Sequence, residues 1–362
     1  MKYPTLQRRD IVAAACLPFV AVAVGGTKAR RSAIVRSEFI DPAPPYPQCH
    51  ASTLVELADS ALAAAWFGGL EEGSADVSIW FARAGARGWE TPVAVADGRL
   101  PGPERFPAWN PVLFQPPGEP LRLFYKVGPD PRSWRGMVIV SADGGRSWSA
   151  PEALPDGILG PIKNKPVIAP DGSWLSPSSR EVGTFESDRW FIQMERSADS
   201  GRSWQAGPPI ASPMGLEAIQ PSVLTFRDKR LELVARTRQG VLATSWSSDS
   251  GKTWSPLAAI NLPNPNSGTD ATTLADGRQL IVYNDSAHGS EYPGYGPRWP
   301  LDVGLSDDGV RWRHALTLES EPLRDGYAYP AVIQTRDGLV HISYTHGRTR
   351  IRHVVLDPRR LS

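Results

Sequence analysis

Ser141-Ala-Asp143-Gly-Gly145-Arg-Ser147-Trp148 decides the fold, because it recurs. Ser197-Ala-Asp199-Ser-Gly201-Arg-Ser203-Trp204 and Ser247-Ser-Asp249-Ser-Gly251-Lys-Thr253-Trp254 repeat it, and Ser306-Asp-Asp308-Gly309-Val-Arg-Trp312 is one residue shorter. A worn fifth copy, Ala84-Gly85-Ala86-Arg87-Gly88-Trp89, keeps the glycine and the tryptophan. The tryptophans Trp89, Trp148, Trp204, Trp254 and Trp312 stand 59, 56, 50 and 58 residues apart. A near-regular period of this size marks a repeat architecture.

The motif has a local physical basis. Asp and Ser at the start of a turn cap backbone N–H groups with side-chain oxygens. Gly supplies the positive φ that a tight hairpin needs. Trp then opens the next strand and packs on the hairpin. The motif joins two antiparallel strands and touches no ligand in doing so. It resembles the Asp-box of the sialidase (neuraminidase) superfamily. That resemblance implies an all-β fold, a six-bladed β-propeller built from BNR repeats, and it implies architecture more strongly than activity.

The 362 residues suffice for one large domain, and Gly 33, Pro 35 and Trp 13 fit many short strands joined by tight turns. A net charge of +1 gives no argument for nucleic acid. The N-terminus has the form of a targeting segment. Arg8-Arg9-Asp10-Ile11-Val12 leads into an apolar run from Ile11 to Val24. This resembles a twin-arginine export signal covering residues 1–29, with cleavage near Gly26 or Ala29. The run is short for a bilayer span, and no later stretch is long and apolar enough for one. The expectation is a periplasmic or secreted protein with no stable membrane insertion. Cleavage leaves Cys49 alone, a small buried residue without a disulfide partner.

From residue 30 to 362 the chain falls into six units and one expected domain. Their inner strands are expected at Ser52–Leu57, Asn110–Phe114, Lys165–Ile168, Ser222–Phe226, Asp270–Leu274 and Ala331–Thr335. Residues 33–41 have strand character and are placed to pair with Ile351–Leu356. Such pairing closes the ring and removes free sheet edges.

Ligands of a propeller bind where the starts of the inner strands converge on the axis. Polar residues mark each start: Cys49-His50, Trp109-Asn110, Lys163-Asn164-Lys165, Glu217 with Gln220, Asn264-Pro-Asn266 with Asp270, and Tyr327-Ala-Tyr329. Asn and Asp also serve as strand caps, so one such residue alone signifies little. Polar groups at one level in all six units point to a common site.

The resemblance assigns roles to several of these residues. Sialidases hold a sugar carboxylate with three arginines, one near the first inner strand and two further on, whose planar forks match it. Arg236, on the strand before the 247–254 box, and Arg298, before the 306–312 box, match two of the three. Tyr329 matches the nucleophilic tyrosine, which makes sialidases an exception to the two-carboxylate rule for glycosidases. Two positions depart from the pattern. His50 stands where the first arginine belongs, and Gln220 stands where a glutamate should polarise the tyrosine. Glu217 is the nearby substitute base. The acid/base maps to the loop carrying Glu71, Glu72 and Asp76. Lys163, Lys165, His50, Arg236 and Arg298 then form a cationic ring, with Asn110, Asn164, Gln220, Asn266 and Asp270 as polar lining.

The expected function is an exported sialidase-like glycoside hydrolase acting on a sialic or uronic acid-containing glycan. The alternatives are a uronate-glycan lyase using His50 and Tyr329 for proton transfer, and a carbohydrate-binding propeller without activity. No metal-ligand spacing appears among the histidines, and no cofactor is expected. The oligomeric state stays open.

Overall fold

The computed structural model describes residues 32–361, apart from 86, 101, 185–186 and 289–294. The expected export signal lies outside the described residues. Six antiparallel sheets follow one another along the chain. Blade 1 is built on Gln48–Glu56, Leu62–Gly69 and Ser78–Gly85, and blade 2 on Ala108–Phe114, Leu121–Val127, Arg135–Ser141 and Glu152–Ala153. Blade 3 is the least regular, with Val167–Ile168, Trp174–Ser176, Glu195–Ser197 and Gln205–Ala206. Between its second and third strands a separate ribbon, Ser179–Val182 with Arg189–Ile192, is inserted. Blade 4 has Ala218–Thr225, Leu231–Thr237, Val241–Ser247 and Ala258–Pro263, and blade 5 has Asp270–Thr273, Gln279–Asn284, Leu301–Ser306 and Arg313–Glu319.

Blade 6 takes three strands from the end of the chain, Tyr327–Gln334, Val340–His346 and Arg350–Leu356. Its fourth strand is Ile34–Phe39 from the start. The closing strand runs antiparallel to Arg350–Leu356, with Glu38 opposite His353 and Phe39 opposite Arg352. The last strand of the ring thus has a paired edge rather than a row of free N–H and C=O groups.

Alternation of side chains along each strand gives every blade two faces, and each inter-blade layer is apolar. Ala63, Ala65, Phe67, Ile79 and Phe81 of blade 1 meet Leu113, Leu121, Leu123, Tyr125 and Ile139 of blade 2. Leu280, Val282, Leu301 and Val303 of blade 5 meet Val332, Val340, Ile342 and Tyr344 of blade 6. First strands of neighbouring blades touch, so their N-terminal ends gather at the axis. Threonines stitch some of them together: Leu113 N–H donates to Thr53 Oγ1 at 3.2 Å, and Thr225 N–H to Thr273 Oγ1 at 2.9 Å.

The boxes behave as their chemistry requires. In the first box Asp143 Oδ1 accepts from the backbone of Arg146 and Ser147, while Oδ2 accepts from the Ser147 hydroxyl at 2.6 Å. Ser141 Oγ accepts from Gly145 N–H at 2.7 Å. Gly145 has φ +89°, and a Cβ there would meet the Phe81 ring of the neighbouring blade. The box therefore turns the chain and lets two blades approach.

Candidate functional site at the propeller axis

Four inner strands carry the same irregularity at the same place. The antiparallel register breaks between His50 and Thr53, Trp109 and Val112, Ile219 and Ser222, and Ala328 and Ala331. The first residue inside each break has positive φ: Ala51 (56°), Asn110 (37°), Gln220 (57°) and Tyr329 (52°). These are β-bulges, each inserting one extra residue and re-aiming a side chain. The next residue is Pro111, Pro221 or Pro330 in three of the four. Proline has no N–H to leave unpaired, so it suits the second bulge position. Left-handed backbone at a bulky, pre-proline residue is strained and survives where the surroundings fix it.

Tyr329, on the bulge of blade 6, is the centre. Its hydroxyl oxygen accepts from Gln220 Nε2 at 3.1 Å and from Arg236 Nη1 at 3.1 Å. The His50 ring lies against the Tyr329 ring, with centroids 4.1 Å apart at 47°. Lys163 Nζ lies 5.6 Å, Arg236 Cζ 5.8 Å and Arg298 Cζ 6.0 Å from the Tyr329 ring centre. Four blades thus send polar side chains to one aromatic ring. No carboxylate touches its hydroxyl among the described residues; both partners are donors.

His50 Nδ1 shares a 2.9 Å hydrogen bond with Thr345 Oγ1, while its Nε2 is buried with no hydrogen-bond partner. Burial holds the imidazole well below its ordinary pKa, and the charges of Arg348, Arg298, Lys163 and Arg236 push the same way. His50 is a neutral base at pH 7.

Below Tyr329 the axis is bolted by lysines and one aspartate. Lys163 Nζ donates to Asn164 Oδ1 (2.8 Å), Thr269 O (3.0 Å) and Pro330 O (2.5 Å), joining blades 3, 5 and 6. Burial pulls its ammonium down to about 7, against the attraction of Asp270. Asn164 Nδ2 donates to Gln220 O at 3.0 Å. Asp270 accepts from Ser222 Oγ, Val332 N–H and Lys165 Nζ, the last at 2.9 Å. The segment that brings Lys163 in is itself held. Glu195 accepts from Leu159 and Gly160 N–H at 2.8 Å each, and Lys126 donates to Pro161 O. Lys163, Asn164, Lys165 and Asp270 therefore spend their polar atoms on the protein.

The other candidates are spread around the rim. Glu217 accepts from Trp190 N–H at 3.2 Å and pairs with Arg238 at 3.6 Å. Asp76 Oδ2 accepts from Leu70 N–H at 2.9 Å, closing its own loop. Glu71 is exposed on the same loop. Glu72 is ion-paired to Arg348 and is among the charges acting on Arg298. Asn110 and Asn266 are buried.

Three neighbours lie outside the set of site residues assigned from the sequence, although the basic run 346–353 offered Arg348 as a residue able to reach the rim. Arg348 sits on the turn between the second and third strands of blade 6, and its carbonyl accepts from Cys49 N–H at 2.8 Å. Trp190, on the inserted ribbon, is covered by Arg238 Cζ at 3.9 Å and Arg236 Cζ at 5.1 Å. Glu181 stands opposite Trp190 in the ribbon; burial raises its carboxyl pKa against the pull of Arg236. The polar-Pro pairs Asn110-Pro111, Gln220-Pro221 and Tyr329-Pro330 were the available signal for the bulges. No local signal marked the ribbon.

Among solved structures, the fold matches a protein of unknown function from Dyadobacter fermentans (16% identity, TM-score 0.70, 89% of this chain and 98% of that one). It matches the Hadza microbial sialidase Hz136 (16%, 0.70, 88% and 67%) and the intramolecular trans-sialidase of Ruminococcus gnavus (12%, 0.68, 91% and 99%). No curated protein matches the sequence. The model of the BNR repeat-like domain matches residues 60–342. With that match across most of its length and six blades around one axis, the chain belongs to the BNR repeat-like domain family and has the sialidase-type propeller fold.

Proposed function

We propose that this protein is an exported enzyme that cleaves a glycan containing a sialic or uronic acid, at the axial site around Tyr329. The observation that carries the reading is the set of groups converging on that ring. Arg236 and Gln220 donate to its oxygen, while Arg298, Lys163 and His50 surround it. Guanidinium forks suit a sugar carboxylate. The same donors also suit negative charge developing on the tyrosine oxygen, as a nucleophile or acid/base in cleavage requires.

As a hydrolase, Tyr329 releases its phenolic proton to solvent, the phenolate held by Arg236 and Gln220; its oxygen attacks the anomeric carbon as the glycosidic bond breaks, and water then cleaves the glycosyl-enzyme and returns the proton to Tyr329. Of the three loop carboxyls, Glu72 pairs with Arg348 and acts on Arg298, and it is the one assigned to protonate the leaving oxygen. Tyr329→Phe removes one oxygen and keeps the ring, so it should abolish cleavage of an acidic-glycan panel in a protein that still folds, with a lower melting temperature from the two buried donors it orphans. Full activity in that variant would leave carbohydrate binding as the surviving role.

His50 favours a second reading. It is a neutral imidazole, stacked on Tyr329, with an unpartnered Nε2. In a lyase such a base takes the proton alpha to a uronate carboxylate, and Tyr329 returns one to the departing oxygen. A lyase leaves an unsaturated uronate that absorbs in the ultraviolet; a hydrolase does not. His50→Ala should abolish a lyase and only weaken binding in a hydrolase.

A further inference from the structure

A cavity of about 370 Å³ opens on the outer edge of blade 3, against the box of blade 4, and no residue of the axial site lines it. Its origin is in the sequence. The outer strands of blades 4 and 5 run for six and seven residues, Ala258–Pro263 and Arg313–Glu319, whereas that of blade 3 ends after Gln205–Ala206. Gly207-Pro208-Pro209 follows, and prolines have no N–H with which to continue the ladder. The loop that leaves the sheet is pinned at both ends. Gly207 N–H donates to Met194 O at 2.8 Å, Ile210 N–H to Ile192 O at 2.9 Å, and Leu257 N–H to Ala211 O at 2.8 Å. The cavity is therefore preformed, and its volume lies in the range of small-ligand pockets.

Trp254 forms the wall with Met194 and Ile210. It differs from the other box tryptophans. Trp89, Trp148 and Trp204 pack against the rings of His353, Phe81 and Phe124, and Trp312 is buried. Trp254 is half-buried, has no ring partner among the described residues, and spends its Nε1–H on Gly251 O at 3.2 Å. An indole with its N–H satisfied and its face partly uncovered suits the C–H face of a sugar ring. The rim is cationic and polar. Lys252 lies 3.6 Å from Asp171, and Arg196 gives only Nη2, to Asp171 and Ser173. The exposed Gln205 amide has no hydrogen bond among the described residues. One carboxylate thus serves two cations, and the remaining donors suit a carboxylate and hydroxyls.

We propose that this cavity is a second, off-axis binding site for an acidic sugar, with the ring stacked on Trp254 and the carboxylate held by Lys252 and Arg196. A glycan chain gripped there stays beside the protein between cleavage events at the axis. The ligand class rests on the acidic-glycan reading of the axial site.

The test is calorimetric binding of N-acetylneuraminic acid and D-galacturonic acid at pH 7, with benzoate as a flat carboxylate that is not a sugar. Arg236→Ala disables the axial site and should leave one site for an acidic sugar. Lys252→Glu reverses an exposed charge on the cavity rim. On the Arg236→Ala background it should weaken the remaining binding at least about ten-fold, the loss of one charge-assisted contact. Gln205→Ala removes an exposed amide and should weaken it roughly three-fold; it decides the question if Lys252→Glu does not fold. Loss of all sugar binding in Arg236→Ala, or remaining binding that neither rim variant changes, overturns the proposal and leaves the axial reading standing. So does binding of benzoate that Lys252→Glu weakens, without binding of either sugar to Arg236→Ala. If the parent protein binds one sugar molecule, and Lys252→Glu abolishes this while Arg236→Ala does not, the cavity site stands and the axial reading falls. If the parent protein binds neither sugar, both fall together.

Discussion

Tyr329 and Lys163 show how one residue fixes the site and another fixes that residue. The Tyr329 backbone is left-handed, and the carbonyl of the next residue, Pro330, is gripped by the buried Lys163 ammonium. Lys163→Met removes a donor that serves three buried oxygens. Orphaned acceptors cost about 1–3 kcal/mol each, so the variant should lose roughly 3 kcal/mol or more in denaturant unfolding. It should also lose activity under conditions where it is still folded, because the bulge is released. A variant that melts early yet keeps full turnover would separate Lys163 from the positioning of Tyr329. Gln220 illustrates the opposite kind of departure. A glutamate there would accept the tyrosine proton, whereas the amide donates to its oxygen.

At the scale of elements, the closing strand carries a pH-dependent joint. Glu38 Oε1 lies 3.2 Å from His353 Nδ1, His353 Nε2 lies 3.0 Å from His341 Nδ1, and Trp89 of the worn box donates to His353 at 3.3 Å. Burial lowers both histidines to about 4. Folded-state values below the ordinary 6.5 mean that the unfolded chain binds these protons first as pH falls. Stability should be full above about pH 6.5 and decline towards about pH 4, by on the order of 3 kcal/mol for each histidine. His341→Gln keeps a polar partner for His353 and removes one titrating group. Its melting temperature should fall less steeply between those pH values, and an identical slope would remove the pair as the cause.

For the molecule as a whole, stability depends on closing the ring. Ile34–Phe39 covers the edge of Arg350–Leu356, stacks Phe39 under Arg350 at 4.0 Å and Arg352 at 4.6 Å, and supplies Glu38 to the histidine joint. Deleting residues 30–41 exposes that edge. The truncated chain should melt well below the parent and associate at high concentration, since a free strand edge templates pairing. A truncated chain with the parent's melting temperature and a monomeric sedimentation profile would show that closure contributes little. The seam also carries the Arg348–Glu72 pair, which truncation should loosen before it unfolds the other blades.

The blade count was legible because the boxes are local. A Ser, an Asp, a Gly and a Trp within eight residues satisfy one another through short-range hydrogen bonds, so the period survives in the sequence whatever the surroundings. The closing strand was legible as a strand for the same reason, and the inner-strand starts were legible as polar breaks in apolar runs. The site was legible only as a list. Ring closure brings His50 and Tyr329 together from opposite ends of the chain, and bulges re-aim the inner strands of four blades. Lys163, Lys165 and Asp270 looked like ligand groups in the sequence, yet burial at the axis makes them partners of one another and of backbone carbonyls. Arg348 was legible as a basic residue able to reach the rim, and only the approach of the first blade's loop places it beside His50 and Glu72. Local chemistry determined the repeats; contacts between residues hundreds of positions apart, which no local pattern encodes, decided which polar groups hold the ring and which face its mouth.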